Sequence, residues 1–231
     1  MNRIFIPTKS PEDWRRLLAQ PEKHWREGYS AMALAECWER ADGFPAEFQA
    51  LFATAADAAL REVELLLAIP EYKVSLPGGK RASQNDLFVL GRAQDGSLVT
   101  IMVEGKMAEP FGERLQDWKV NASEGKLTRL KYLWQVLGLL AEPPGHIRYQ
   151  LLHRTASAVC EARRFNSRAA LMVVHSFSPE RAWFEDYQAF VGLFGARGEA
   201  NQLVELRQME GVQLYAGWVE GHASQLPLKH E

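Results

Sequence analysis

The sequence predicts an α/β protein of the α+β kind, with a mixed central sheet flanked by helices and an N-terminal helical extension. Three features carry that prediction. Apolar runs at residues 87–90 and 98–103 flank Gln94-Asp95-Gly96-Ser97, which is the signature of two antiparallel strands joined by an Asp-Gly turn. Residues 169–175 read Ala-Ala-Leu-Met-Val-Val-His, an apolar run suited to a strand buried on both faces. Around these runs lie stretches whose apolar residues recur at helical spacing. At 231 residues the chain can bury a sizeable core in one compact unit. Residues 1–44 are expected to pack as an extension on a main domain of residues 45–231.

Element by element, Ser10-Pro11-Glu12-Asp13 starts a helix, with proline in the first turn and acids at the positive end of the dipole. A second helix is expected from Ser30 through Trp38, closed by Gly43-Phe44-Pro45. Trp14, Trp25, Tyr29 and Trp38 in this section would pack it onto the core. A long helix should run from Pro45 to about Ala68, with Phe48, Leu51, Phe52, Ala55, Ala59, Val63 and Leu66 on one side and Glu62 at the border of that side. Pro70 ends it, and residues 71–76 form a first strand. Pro77-Gly78-Gly79-Lys80-Arg81 follows as a loop whose backbone N–H groups and two cations could hold a phosphate. After the hairpin, Ser123 can cap a helix carrying Leu127, Leu130, Trp134 and Leu137, on which Gln135 faces the same side as Lys131. Residues 149–165 form a further helix bearing His153 and Arg154. The buried strand at 169–175 comes next, then a helix capped at Ser178-Pro179 and a closing strand at 212–219. The tail from Gly221 onward is expected to be loose.

Composition narrows the function. With 47% hydrophobic and 24% charged residues the chain is an ordinary globular protein. Its formal net charge of −2 gives no overall pull toward a polyanion, which argues against a protein that coats DNA without specificity. A nucleic-acid enzyme with a local basic patch remains open. The two cysteines, Cys37 and Cys160, are expected to be reduced and unpaired in a cytoplasmic protein, and no zinc-ribbon spacing is present. No apolar run approaches the length of a membrane-spanning helix. No glycine pattern matches a nucleotide-binding P-loop.

The hairpin holds the chemistry. Asp86 precedes the first apolar run, and Glu104-Gly105-Lys106 ends the second, so antiparallel pairing brings Asp86 beside Glu104. Lys106 lies two residues beyond Glu104 and therefore on the same strand face. Two carboxylates suit Mg²⁺ or Mn²⁺, and a neighbouring lysine can serve an attacking water. Two acids and a lysine at strand ends can also form a plain surface salt bridge.

The pattern resembles the PD-(D/E)XK nuclease superfamily over roughly residues 46–176. Glu104-Gly105-Lys106 matches that family's (D/E)-x-K element in full, and Asp86 matches its first acid, although Asn85 stands where a proline is usual. The resemblance implies a restriction-endonuclease-like αβββαβ core. It further implies a metal held by Asp86, Glu104 and the Gly105 carbonyl, with Lys106 serving the water. An acid from the first helix often joins such a site, which nominates Glu62. A glutamine on the helix after E-x-K occurs in some branches, which nominates Gln135. Lys80, Arg81 and Gln84 would touch the substrate, a nucleic acid and most simply DNA, and a homodimer would suit an enzyme cutting both strands. The competing readings are a catalytically silent nucleic-acid-binding or regulatory module on the same fold, and a hydrolase of small phosphorylated molecules.

Overall fold

A computed structural model describes residues 7–221. The expected loose tail after Gly221 lies outside the described residues. Three helices come first: α1 (Pro11–Arg15), α2 (Pro21–His24) and α3 (Ser30–Arg40). Then follow α4 (Ala46–Ala53), β1 (Val63–Val74), β2 (Ser83–Ala93) and β3 (Leu98–Lys106). After them come α5 (Leu115–Trp118), α6 (Glu124–Val136), α7 (Tyr149–Phe165) and β4 (Ala169–Ser176). The described chain closes with α8 (Phe184–Gly192), β5 (Leu203–Met209) and β6 (Val212–Glu220).

The six strands form one mixed sheet in the order β1-β2-β3-β4-β6-β5. The β1–β2, β2–β3 and β5–β6 pairs are antiparallel, whereas β3–β4 and β4–β6 are parallel. The hairpin turn falls at Asp95-Gly96, where Gly96 takes φ 83° and Ala93 N–H bonds Ser97 O at 2.9 Å. Parallel pairing of β3 with β4 needs a crossover, which α7 supplies. Strand β4 is buried at every residue, as its continuous apolar run requires.

Each sheet face carries its own core. On one face α7, α6 and α8 cover Phe88, Met102, Met172, Val174 and Trp218. On the other, Leu34 and Trp38 of α3 and Phe48, Leu51 and Phe52 of α4 cover Leu87, Ile101, Val103 and Val173. The chain is thus helix, sheet, helix in three layers.

Several elements depart from expectation. The helix expected to reach Ala68 stops at Ala53, and residues 63–74 form a strand instead. Leu65, Leu66 and Leu67 fit a helical stripe, but a ladder of ten pairs with β2 wins, because that strand completes the sheet edge. Pro70 lies inside β1 rather than ending a helix, and an edge strand tolerates a residue without an N–H. The last helix begins at Phe184, not at Ser178, whose hydroxyl accepts the Ala182 N–H at 3.0 Å one turn earlier. Strand β5 had no expected counterpart. Among the described residues, no helix is long and apolar enough to cross a membrane.

Candidate active site

Strand β3 ends in a run of buried residues, and alternation puts Glu104 and Lys106 on the α7 side and Gly105 on the α3 side. A Cβ on Gly105 would approach Ser30 Cβ to 3.2 Å, so α3 packs tightly there. Asp86 enters from β2 at an irregularity. The ladder between β1 and β2 skips the pair Glu71 and Asp86, and Glu71 takes the left-handed φ of 52°. Side-chain alternation changes phase across it. Phe88 belongs to the α7-side core, and so does Ser83, whose hydroxyl bonds Ser157 on α7 at 2.9 Å. The kink aims the Asp86 carboxylate across the end of β3. Its Oδ2 accepts the Gly105 N–H at 2.9 Å.

Helix α7 supplies the partners. Gln150 and Arg154 stand four residues apart, on one helix face. Gln150 Nε2 donates to Glu104 Oε1 at 2.6 Å, and Lys106 Nζ donates to the same oxygen at 2.6 Å. Arg154 Nε donates to Glu104 Oε2 at 2.5 Å, while its Nη2 reaches Asp86 Oδ1 at 3.3 Å. The Lys106 ammonium also sits 4.9 Å above the Phe111 ring. Glu71 completes the group, accepting from Gln84 Nε2 at 2.5 Å. Glu104 is 1% exposed, which rules out a surface salt bridge.

Three acids and two cations so close together shift one another. Burial and then the Glu104 charge push Asp86 up to about 6, against the pull of Arg154 and Lys106. Burial, followed by the Asp86 charge, pushes Glu71 up to about 8. Burial alone would raise Glu104 too, but Arg154 and Lys106 outweigh it and hold its carboxyl below the usual range. Glu104 is the fixed anion of the group, and Glu71 and Asp86 share the remaining proton demand. Acids pushed in opposite directions within one buried cluster make this group the candidate site.

The donor set suits a hard divalent cation. All three acids offer carboxylate oxygens, and Gln150 Oε1 is a buried acceptor without a partner.

Of the sequence-nominated residues, the fold gathers Asp86, Glu104, Gly105 and Lys106, with Gln84 one contact out through Glu71. Lys80 and Arg81 lie exposed on the β1–β2 loop, beside a cavity of about 430 Å³ also lined by Trp118, Lys126, Tyr149 and His153. His153 bonds Ser83 Oγ at 2.8 Å, and burial with Arg154 and Arg129 nearby keeps it neutral.

Glu62 is not in the site. It is exposed and precedes Val63, which pairs with Ala93 at the opposite end of the hairpin from Asn85 and Tyr72. The helix that was to carry it ends at Ala53. Gln135 is also elsewhere, exposed near the end of α6, because α7 rather than α6 lies against β3. Gln150 occupies the position nominated for Gln135. The reading missed Glu71, whose placement depends on a backbone flip that leaves no periodic trace. It also passed over Gln150 and Arg154 as ligands of Glu104, although their four-residue spacing on a helix was a usable signal.

A second polar cluster lies on the other face. Cys37, Glu47 and His175 bring their donor atoms within 4.8 Å of one another. These are donor types that a metal takes, but here they bond one another and Trp38. The Trp38 indole N–H donates to His175 Nδ1 at 3.3 Å, which puts the ring proton on Nε2, where it bonds Glu47 Oε1 at 3.0 Å. The Cys37 thiol donates to the same oxygen at 3.4 Å, and burial and then Glu47 push it up to about 12. These groups satisfy one another and pin α3 and α4 to β4.

A family model described as a domain of unknown function, DUF6946, matches residues 7–223. The chain belongs to the DUF6946 family. The match takes in every described strand and helix, so the Asp86, Glu104 and Lys106 group lies inside the family's domain. No curated protein and no solved structure matches.

Proposed function

We propose that this DUF6946 chain is a metal-dependent nuclease of the PD-(D/E)XK type, hydrolysing phosphodiester bonds, most simply those of DNA. The observation that carries the reading is the convergence of Asp86, Glu104 and Lys106 on one sheet face at the ends of β2 and β3. The order α4, β1, β2, β3, α7, β4 is in keeping with the αβββαβ core of that superfamily. Gln150 on α7 is in keeping with the glutamine that some branches carry after E-x-K.

Asp86 and Glu104, with the Gly105 carbonyl, would hold Mg²⁺ or Mn²⁺. Such an ion supplies a Lewis acid for the phosphate and a bound water of lowered pKa. The chain's own groups do the rest. Lys106, held between Glu104 and Phe111, would offer its ammonium to the negative charge that develops on the phosphorane. Gln150 holds the Glu104 carboxylate in one orientation. Lys80 and Arg81 at the neighbouring cavity offer exposed cations to the nucleic-acid backbone.

Incubation with DNA and RNA substrates in Mg²⁺, Mn²⁺ or EDTA is the direct test. Cleavage should require the metal and fall by at least about a hundredfold in Asp86→Ala, Glu104→Ala and Lys106→Ala. Full activity in any of the three variants would remove that residue from the assigned role. One feature favours the catalytically silent module instead: every oxygen of Asp86 and Glu104 already has a hydrogen-bond partner. Absence of both cleavage and Mn²⁺ binding would select it.

A further inference from the structure

Arg154 bridges the two acids that would hold the metal. Its guanidinium spans the two carboxylates, Nε on Glu104 Oε2 and Nη2 on Asp86 Oδ1, and the Arg154 side chain is only 9% exposed. We propose that Arg154 is an internal stand-in for the metal, holding Asp86 and Glu104 together until the guanidinium is drawn off by an anionic substrate. The inference rests on the nuclease reading of this site and adds its regulation.

The argument is one of charge and geometry. A buried carboxylate pair repels itself unless a cation lies between. Arginine suits that position because its planar fork can serve two acceptors at once. A divalent ion needs the same lone pairs, so the two cannot both be satisfied. The contacts are unequal: 2.5 Å to Glu104 and 3.3 Å to Asp86. Asp86 is also the more open acid, with its side chain 24% exposed against 2% for Glu104. Displacement therefore starts at Asp86, on the side open to solvent. The freed guanidinium needs a new anion, and a phosphodiester provides one with matching bidentate geometry. Metal and polyanion then favour each other's binding, and the coupling is reciprocal. A protein bearing its own cation in the site would stay unloaded until substrate arrived.

Calorimetric titration of Mn²⁺ tests this without any cleavage assay. The titration is run on wild type, Arg154→Gln and Arg154→Lys, each alone and with a phosphorothioate-linked oligonucleotide that resists hydrolysis. Circular dichroism checks that each variant is folded. Mn²⁺ should bind both variants at least about tenfold more tightly than wild type when no oligonucleotide is present. The oligonucleotide should tighten Mn²⁺ binding to wild type and have much less effect on either variant. Arg154→Lys keeps the charge but loses the fork. Tightening in Gln alone would mean simple charge repulsion and would overturn the displacement idea. Equal binding in all three proteins would overturn it while leaving the nuclease reading intact. Failure of all three folded proteins to bind Mn²⁺, with or without the oligonucleotide, would remove both.

Discussion

At φ 52° Glu71 holds a backbone conformation that non-glycine residues adopt at a cost of about 1 kcal/mol, and the site gains its geometry from it. The flip lets Ser83 and Phe88 share one sheet face and leaves Asp86 between them, turned toward β3. Residue-scale electrostatics are most measurable away from the site, at Glu47. Burial would raise this acid, but hydrogen bonds from His175, its own backbone and Cys37 bring it down to about 2. Its folded pKa lies below the unfolded value, so the folded state binds fewer protons at intermediate pH. That stability is complete above the ordinary glutamate range and is lost as pH falls through it toward about 2. Glu47→Gln should therefore flatten the acid limb of a stability-against-pH curve measured by urea unfolding. The difference from wild type should be on the order of 2 kcal/mol near neutrality, allowing for partial exposure of Glu47.

Among the elements, the β1–β2 loop is held most closely. Arg129 on α6 donates to four of its carbonyls, Leu76 at 2.9 Å, Pro77 at 3.0 Å, Gly79 at 3.2 Å and Arg81 at 2.6 Å. Gly78 makes the approach possible: with φ 83°, a Cβ there would lie 2.3 Å from Arg129 N. Arg129→Ala should cost about 1–3 kcal/mol, because the buried Leu76 carbonyl and three part-buried ones lose their donor, and Gly78→Ala about 1–3 kcal/mol. Amide exchange should speed up in residues 76–82 in both variants, ahead of the sheet. A smaller cost with unchanged exchange would show that the loop holds itself. The elements that were legible in the sequence are those fixed by local signals. The hairpin followed from Asp95-Gly96 and β4 from its unbroken run, and the helix expected at 149–165 is α7. Glu104 and Lys106 were legible because period two places them on one strand face, and hairpin pairing brought Asp86 to the same end, although its aim depends on the kink at Glu71. The part of β1 before Glu71 was hidden, because three successive leucines fit a helix as well as a strand until a partner strand is supplied, whereas the strand expected at 71–76 overlaps its end. Glu71 was hidden by the same dependence on tertiary packing.

For the whole molecule, the sheet is shared by both cores, and His175 ties its far face to α3 and α4 through Trp38 and Glu47. The tryptophans report on both layers: Trp14 and Trp38 lie in one core, Trp118 and Trp218 in the other. Heat or urea should unfold the chain in one transition, with tryptophan fluorescence and far-ultraviolet circular dichroism superimposing. Separated transitions would mean that the N-terminal helices melt from the sheet independently. The kink at Pro70-Glu71 also bears on the protein's behaviour at high concentration. Strand β1 is twelve residues long at the sheet margin, with Leu66 and Leu67 each 38% exposed, and a straight margin of that kind recruits strands from other chains. Pro70 removes one amide donor from it, the register shift between Leu65 and Leu67 twists it, and the left-handed Glu71 breaks its line. The distortion that turns Asp86 into the site thus also keeps neighbouring molecules from fusing edge to edge into fibrils.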